Sequence, residues 1–456
     1  MKSQLLLQPL ILLLSLPSAL SATLPRSVEK PLGVGSAKEQ NYIIALKTTE
    51  KRPWAEIVKS FGQPSQPENV ITKTVRIYGL KLTAADALKI SKLPFVAGVA
   101  LDSEIHVPGD KLSELDLDAD EAPSEEEEAA NHARDLIPSP AIVARANALK
   151  VRKDATWAMQ RISSGVKVEK NPKGKNTKYT YSYDPKTDTG AGVDVYVVDG
   201  GIDMKNSQFG GRAKQIYSFS RTRPQDVKGH GTHVAGIIGS KSFGIAKNVN
   251  LISIKVTGAS DQWPSLSEIL AGYDTAIENH MNRKKDPKFV ASIINMSNGG
   301  GAGLEPLKAL LAKAESEGMH MVAAAGNERR DACFGYPAGF NQEVKSLITV
   351  GNIDINDELE VSSNFGKCVD IFAPGTDIIS VALPKAPGSK KGMIAMTGTS
   401  MSTPMVAGVI AGQVLKHPEL RNDPLAMKKH ILGMAKSGIH NYNPSKGPDR
   451  ILFRSN

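Results

Sequence analysis

Cysteine is almost absent from this chain. Cys333 and Cys368 are the only two among 456 residues, too few for a zinc site of the usual four-ligand kind. Aromatic residues make up only 5% of the sequence, and no aromatic platform accompanies the dispersed lysines and arginines, so nucleic acid is not an expected partner despite a net charge of +9. Long apolar runs are missing too. Leu10 to Leu16, which follow Lys2, form a short run between Pro9 and Pro17. With "SALSA" at 18–22 it reads as a secretory signal peptide over 1–21, cut after Ser21 or Ala22, and not as a membrane anchor. No later segment has the length to span a bilayer. The chain is expected to be secreted and extracellular, where cysteine pairing is permitted. A Cys333–Cys368 bond would close a loop of about 35 residues and stabilise the fold by roughly 3 to 4 kcal/mol; two unrelated buried thiols are the alternative.

Charge is unevenly spread. Residues 110–135 hold 11 acids against Lys111 and Arg134, a net of −9, whereas residues 151–456 hold 39 Lys and Arg against 28 Asp and Glu, a net of +11. The acidic stretch lies within a segment, 108–150, that contains Pro123, Pro138 and Pro140 and little apolar content in its first half. It reads as an exposed linker. "DLDADEAPSEEE" within it mimics the start of a calcium loop, but Glu121 stands where the sharp turn needs glycine, and a solvated acidic run is the better reading.

Before the linker, residues 41–107 alternate strand and helix patterns: "YIIALK" (42–47), "PWAEIVKSF" (53–61), "VITKTVRIYGLKL" (70–82), a helix capped by Thr83 and "VAGVALDSEIHV" (96–107). That predicts a small β-α-β-α-β sandwich. After it, residues 151–456 carry short continuous apolar runs at 193–199, 249–256, 291–297, 319–326 and 346–351, separated by helical spacing at 265–281 and 304–318. Strands buried on both faces and alternating with helices predict a parallel sheet covered by helices, an α/β fold. Sites in such folds gather at the carboxyl ends of the strands.

Three reactive side chains fall at such places. Asp199 ends "VDVYVVD" ahead of two glycines, His230 begins the small-residue helix of "GHGTHVAGIIG", and Ser400 lies in "MTGTSMSTPMVAG" at a turn into an apolar helix, where it can serve as N-cap with Pro404 in the early turns. A carboxylate that fixes the imidazole tautomer, an imidazole that takes the hydroxyl proton and a hydroxyl at a positive helix end form a nucleophilic relay. Asn327 in "AAAGNE" is an amide donor suited to an oxyanion, together with the Ser400 backbone N–H. His233 reads as a supporting residue, and Ser402 stands on another face of its helix.

Together "VYVVDGGID", "GHGTHVAG", "AAAGNE" and "GTSMSTPMVAG" resemble the subtilisin-type serine endopeptidases, especially the fungal proteinase K and cerevisin-like branch. The order Asp, His, Ser agrees with that family. The resemblance covers about 155–420, and residues 41–107 separately resemble the family's inhibitory propeptide, a small α+β ferredoxin-like unit. It implies a subtilisin-like parallel sheet flanked by helices, a triad of Asp199, His230 and Ser400, and Asn327 in the oxyanion hole. It also implies a substrate cleft lined by Gly258, Ala259, Ser260, Ser297, Asn298, Gly299, Ala324, Ala325 and Gly326, and a disulfide between Cys333 and Cys368. No cofactor is implied as required, but Asp370 matches a carboxylate of a calcium site.

Several positions depart from the family pattern: Gly200 replaces a hydroxyl residue after the triad aspartate, Asn298 replaces a cleft leucine and makes that subsite more polar, Met405 replaces histidine, and the linker is long. The resulting expectation is a monomeric, secreted zymogen that hydrolyses protein or peptide substrates and is inhibited by its own propeptide. A catalytically silent relative that binds peptides or inhibits is the alternative. "RK" at 152–153 is a candidate processing site, and the sequon at Asn295 falls in an expected buried strand.

Overall fold

The continuous apolar runs are strands of one parallel sheet. The computed structural model describes residues 38–62, 70–105, 111–112, 149–170, 176–258, 263–299, 304–443 and 447–455; the signal peptide, nearly all of the acidic linker, and Ala259 and Ser260 of the cleft lie outside them. In chain order the sheet is built from β7 (Val193–Asp199), β8 (Ala213–Ser218), β9 (Asn250–Lys255), β10 (Ala291–Met296), β11 (His320–Ala324), β12 (Ile348–Ile353) and β13 (Ile371–Pro374). Their spatial order is β13-β12-β11-β10-β7-β9-β8, all parallel. Every residue of β7, β10, β11 and β12 is buried, as expected for strands covered on both faces.

Helices supply the covers. A helix at His230–Gly239 and a long one at Thr399–Lys416 share one core with the sheet, through Val234, Ile237, Val406 and Ile410. Helices at Leu266–Arg283 and Leu307–Glu317 form a second core on the opposite face, through Leu270, Tyr273 and Leu310. Ser265 opens the first of these with a capping box to Glu268.

The amino-terminal unit has β1 (Gln40–Leu46), β2 (Ile77–Leu82) and β3 (Val96–Leu101) in the order β2-β1-β3, antiparallel, with helices at Trp54–Ser60 and Ala84–Ser91. Its central strand is buried on both sides with period 2. Tyr42, Ile44 and Leu46 pack into the unit's own core, whereas Ile43 and Ala45 join the second core under helix Leu266–Arg283.

Four features differ from the sequence reading. Lys111–Leu112 (β4), inside the acidic segment, pairs antiparallel with Thr397 and Met396 of the strand Met393–Thr397, so the linker is not wholly without structure. Arg152–Lys153 is held in β5 (Lys150–Ala155), paired with β6 (Tyr179–Tyr183); Arg152 is buried and its guanidinium donates to Asp154 Oδ1 at 2.6 Å. A protease needs an exposed, extended segment, so this pair is a poor processing site.

The long helix starts at Thr399 with Gly398 as cap, so Ser400 is not the N-cap. Pro404 lies beyond the four N–H groups that lack a partner, and its missing N–H deprives the Ser400 carbonyl of its helical donor. The hydroxyl of Ser297 donates to that carbonyl instead, at 2.9 Å. Cys333 and Cys368 are bonded, with Cα atoms 5.2 Å apart.

Candidate active site

Asp199 is the last residue of β7, and the turn at Gly200 and Gly201 carries the chain away from the sheet edge; Gly201 has φ 111°. Its carboxylate is buried and accepts from the Gly200 N–H at 2.6 Å and from His230 Nδ1 at 2.8 and 2.9 Å to its two oxygens. Nδ1 therefore carries the proton, and Nε2 is the basic nitrogen. His230 is the first residue of its helix, and the turn before it is organised by Asp226. That buried carboxylate accepts from Gly229 N at 2.9 Å, Lys228 N at 3.1 Å, Thr232 N at 2.9 Å and Thr232 Oγ1 at 2.7 Å. Burial pushes the Asp226 carboxyl above its ordinary range.

Asp226 was missed in the sequence reading. An aspartate three residues before a glycine cap, with threonine at the third helical position, was the available signal. His233 is fully buried and supports the site from below, its Nε2 donating to the carbonyls of Ile378 and Ile394 at 3.0 and 3.1 Å. Ser402 donates to Ala373 O at 2.9 Å, away from the cleft.

Ser400 is 5% exposed, and its hydroxyl donates to the Ser297 carbonyl at 2.8 Å. With the reverse bond from Ser297 Oγ, serine and cleft strand are tied reciprocally. Asn327 follows β11, where Oδ1 accepts from Thr399 N at 2.9 Å and from Thr399 Oγ1 at 3.1 Å. Thr399 thereby settles which end of the amide is which, and its Oγ1 also accepts from Gly326 N at 3.1 Å. Thr399 was also missed, because nothing in sequence spacing links 327 to 399.

Of the expected cleft residues, Gly258, Ser297 and Asn298 line a cavity of about 310 Å³ together with Asp199 and His230. Gly299 borders a second, smaller one with Asn298. Ala324 and Ala325 end β11 and run into Gly326, whose φ is 101°. Asn298 does not simply add polarity to the cleft: its amide nitrogen donates to the Val198 carbonyl of β7. Gly200 has a counterpart across the cavity, since a Cβ there would lie 3.2 Å from Thr257 Oγ1. Met405 is 2% exposed in the core, and Asn295 is fully buried, its amide donating to Ser297 Oγ at 2.9 Å.

Asp370 does not offer a calcium site. Its Oδ2 accepts from Thr349 N at 2.9 Å and Asn341 Nδ2 at 3.1 Å, and its Oδ1 faces the Lys428 ammonium at 2.9 Å. The same ammonium donates to the Leu347 carbonyl at 2.6 Å. A metal ion between these oxygens would meet a fixed positive charge, so the residues present do not fit one.

Comparison with known proteins agrees with this architecture. The subtilase family (peptidase S8) is matched over residues 190–451. A subtilisin-like serine protease of Rhodotorula mucilaginosa is 34% identical over 68% of this chain and 88% of its own length. A subtilase-type proteinase of Schizosaccharomyces pombe is 37% identical over 66% of this chain, and alkaline protease 2 of Aspergillus fumigatus is 35% identical over 66%. The chain spans only 62% and 61% of the length of these two. The crystal structure of a cold-adapted subtilisin-like serine proteinase superposes with a TM-score of 0.54 at 31% identity, covering 66% of this chain and 99% of that one. The chain belongs to the subtilase family of serine endopeptidases. The relatives named above are fungal subtilisin-like proteases. No helix among the described residues is long and apolar enough to cross a membrane.

Proposed function

We propose that this chain is exported as a zymogen and hydrolyses peptide bonds through an acyl-enzyme on Ser400. The observation that carries the reading is the two-oxygen contact of Asp199 with His230 Nδ1, which leaves Nε2 as the basic nitrogen at the start of a helix that shares one core with the Ser400 helix. In the reaction Ser400 Oγ leaves the Ser297 carbonyl, gives its proton to Nε2 and attacks the substrate carbonyl carbon. The proton then passes to the departing amine. Water repeats the sequence and releases the acid. The oxyanion is held by the Asn327 amide nitrogen and the Ser400 N–H, which lies among the unpartnered donors of the helix start.

Residues 41–107 act in this reading as an intramolecular inhibitor, and contacts along one helix support it. Asp102 accepts from Ser267 N and Oγ, both at 2.9 Å, and Ser103 O accepts from Leu266 N at 3.0 Å, so the free donors of helix Leu266–Arg283 are capped from the amino-terminal unit. Asp274 of that helix accepts from the N–H groups of Lys73 and Thr74 at 2.6 and 2.9 Å. Ile105 N donates to Pro264 O at 2.9 Å, and Lys111–Leu112 pairs with Met396–Thr397, just ahead of Ser400 in the chain.

The test uses wild type and Ser400→Ala made side by side. A serine-directed phosphonofluoridate should label only the wild type. The wild type should also shorten to a fragment whose amino terminus falls between about 108 and 155, while the variant keeps its precursor size. Equal labelling of both proteins would defeat the mechanism, and equal shortening would assign the cut to another protease.

A further inference from the structure

The far end of the Ser400 helix carries a pair of imidazoles that the peptidase chemistry does not touch. His417 caps that helix, and His430 lies on the helix that follows, Pro424–Met434. At about 1.5 Å per residue the pair is about 25 Å from the nucleophile. Their ring centroids are 4.5 Å apart, and both residues are half-exposed, so solutes reach them.

Each ring has one nitrogen engaged and a lone pair on the other. His417 Nδ1 lies 3.2 Å from Glu419 Oε1, and a carboxylate only accepts, so Nδ1 carries the proton and Nε2 keeps the lone pair. His430 Nε2 donates to Gln413 Oε1 at 2.9 Å, which leaves the lone pair on Nδ1. Gln413 is fully buried and its amide nitrogen has no partner, so its side chain bonds only this ring. Burial, with His417 beside it, holds His430 below its ordinary pKa, so the ring is neutral at pH 7. An imidazole whose N–H is fixed on a carboxylate or carbonyl oxygen is the form that metal sites use, because the partner sets the tautomer and raises the basicity of the free nitrogen.

The spacing of the rings agrees. An ion about 2.0 to 2.1 Å from a ring nitrogen is about 3.2 Å from the ring centre, so two imidazoles at about 90° on one ion have centres about 4.5 Å apart. That angle belongs to tetragonal copper(II) and nickel(II), whereas zinc in such sites is tetrahedral. The surrounding charge also favours a cation. Glu419 supplies a carboxylate, and the helix end adds the partial negative charge of its last carbonyls. The neighbouring cations are engaged elsewhere: the Lys416 ammonium is 2.9 Å from Asp188 Oδ1, and Arg421 Nε donates to Val414 O at 3.1 Å. We propose that His417 Nε2 and His430 Nδ1 bind one divalent transition-metal ion, copper(II) foremost, which clamps the end of the Ser400 helix to the helix after it.

Two imidazoles are half the ligand set of a structural zinc site, which sets a Kd on the order of 10 µM. The purified chain is then free of the ion and folds without it. The experiment adds copper(II) chloride to the full chain as Ser400→Ala, which does not digest itself, and to the same chain with His417→Gln or His430→Gln. Calorimetry should show one site of that affinity in the parent, weakened about 100-fold in each histidine variant. Electron paramagnetic resonance should show two ring nitrogens on the bound copper. Copper at about ten times its Kd should raise the parent's melting temperature by about 3 °C and leave the variants unchanged. An affinity that either variant retains, or bound copper with fewer than two ring nitrogens, overturns the proposal, and binding without the rise in melting temperature overturns the clamp. Should a variant's copper-free melt depart from the parent's, the resonance of the parent decides by itself. Ser400 is replaced throughout, so no outcome depends on the peptidase reading.

Discussion

Lys428→Met removes an ammonium while keeping a side chain of similar length. The ammonium is the only side-chain cation that bonds Asp370 among the described residues, and it also donates to Leu347 O, in a residue 9% exposed. Breaking a fully buried ion pair costs about 3 to 5 kcal/mol, and orphaning a buried carbonyl about 1 to 3 kcal/mol. Asp370 keeps Thr349 N and Asn341 Nδ2, so its carboxylate is not stripped of donors. The net loss should be about 2 to 4 kcal/mol. For a chain of this size that lowers the melting temperature by about 2 to 6 °C. The measurement is a thermal melt by circular dichroism in a Ser400→Ala background, which prevents self-digestion. A shift below about 1 °C would mean the pair holds nothing, and the reasoning would be wrong. The same melts repeated with EDTA should leave the Ser400→Ala chain in place. A drop of several degrees that Asp370→Asn abolishes would return Asp370 to consideration as a metal ligand.

Asn327→Ala should lower kcat by roughly 100- to 1000-fold with the serine still labelled, because one oxyanion donor is lost while the relay stays; near-normal kcat would remove Asn327 from the site. Asp274→Ala in the full chain deletes the acceptor of the Lys73 and Thr74 N–H groups. It should shorten the lag between self-cutting and peptide hydrolysis by about tenfold, and an unchanged lag would show that this contact does not hold the inhibitor. Burial holds His320 down at about 4, below its ordinary value of about 6.5, so the unfolded chain takes up the proton first. The stability it contributes, on the order of 3 kcal/mol, is complete above about pH 6.5 and is lost as pH falls towards 4. Melts across that range should be flatter in His320→Gln, and an unaltered slope would assign the acid sensitivity elsewhere.

Elements with a strong apolar pattern were legible in the sequence. The runs at 193–199, 291–297 and 319–326 became β7, β10 and β11 because strands covered on both faces need continuous apolar residues. Edge strands were not legible. "AKQIYS" (β8) is half-exposed throughout, apart from one exposed lysine, and carries no such run. Asp199 ends its strand, His230 starts its helix and Ser400 is the second residue of its own, so the sequence pattern placed all three at element ends. The reciprocal Ser297–Ser400 bonds, Thr399 under Asn327, Lys428 against Asp370 and the Lys228–Trp263 contact could not be placed in this way. They join residues 35 to 103 positions apart, or side chains on loops whose meeting only the tertiary fold decides.

Pro404 gives the site a mechanical property. In an uninterrupted helix the Ser400 carbonyl would be satisfied by the residue four positions on, and the serine's backbone would be fixed by the helix alone. Here that carbonyl is held by Ser297 Oγ while the Ser400 hydroxyl is held by Ser297 O. The nucleophile is therefore registered against the same strand that a substrate would lie along. A shift of this strand passes to the serine backbone through Ser297 Oγ, a bond that stays when the hydroxyl leaves Ser297 O, so nucleophile and strand keep their spacing through small shifts of the whole helix.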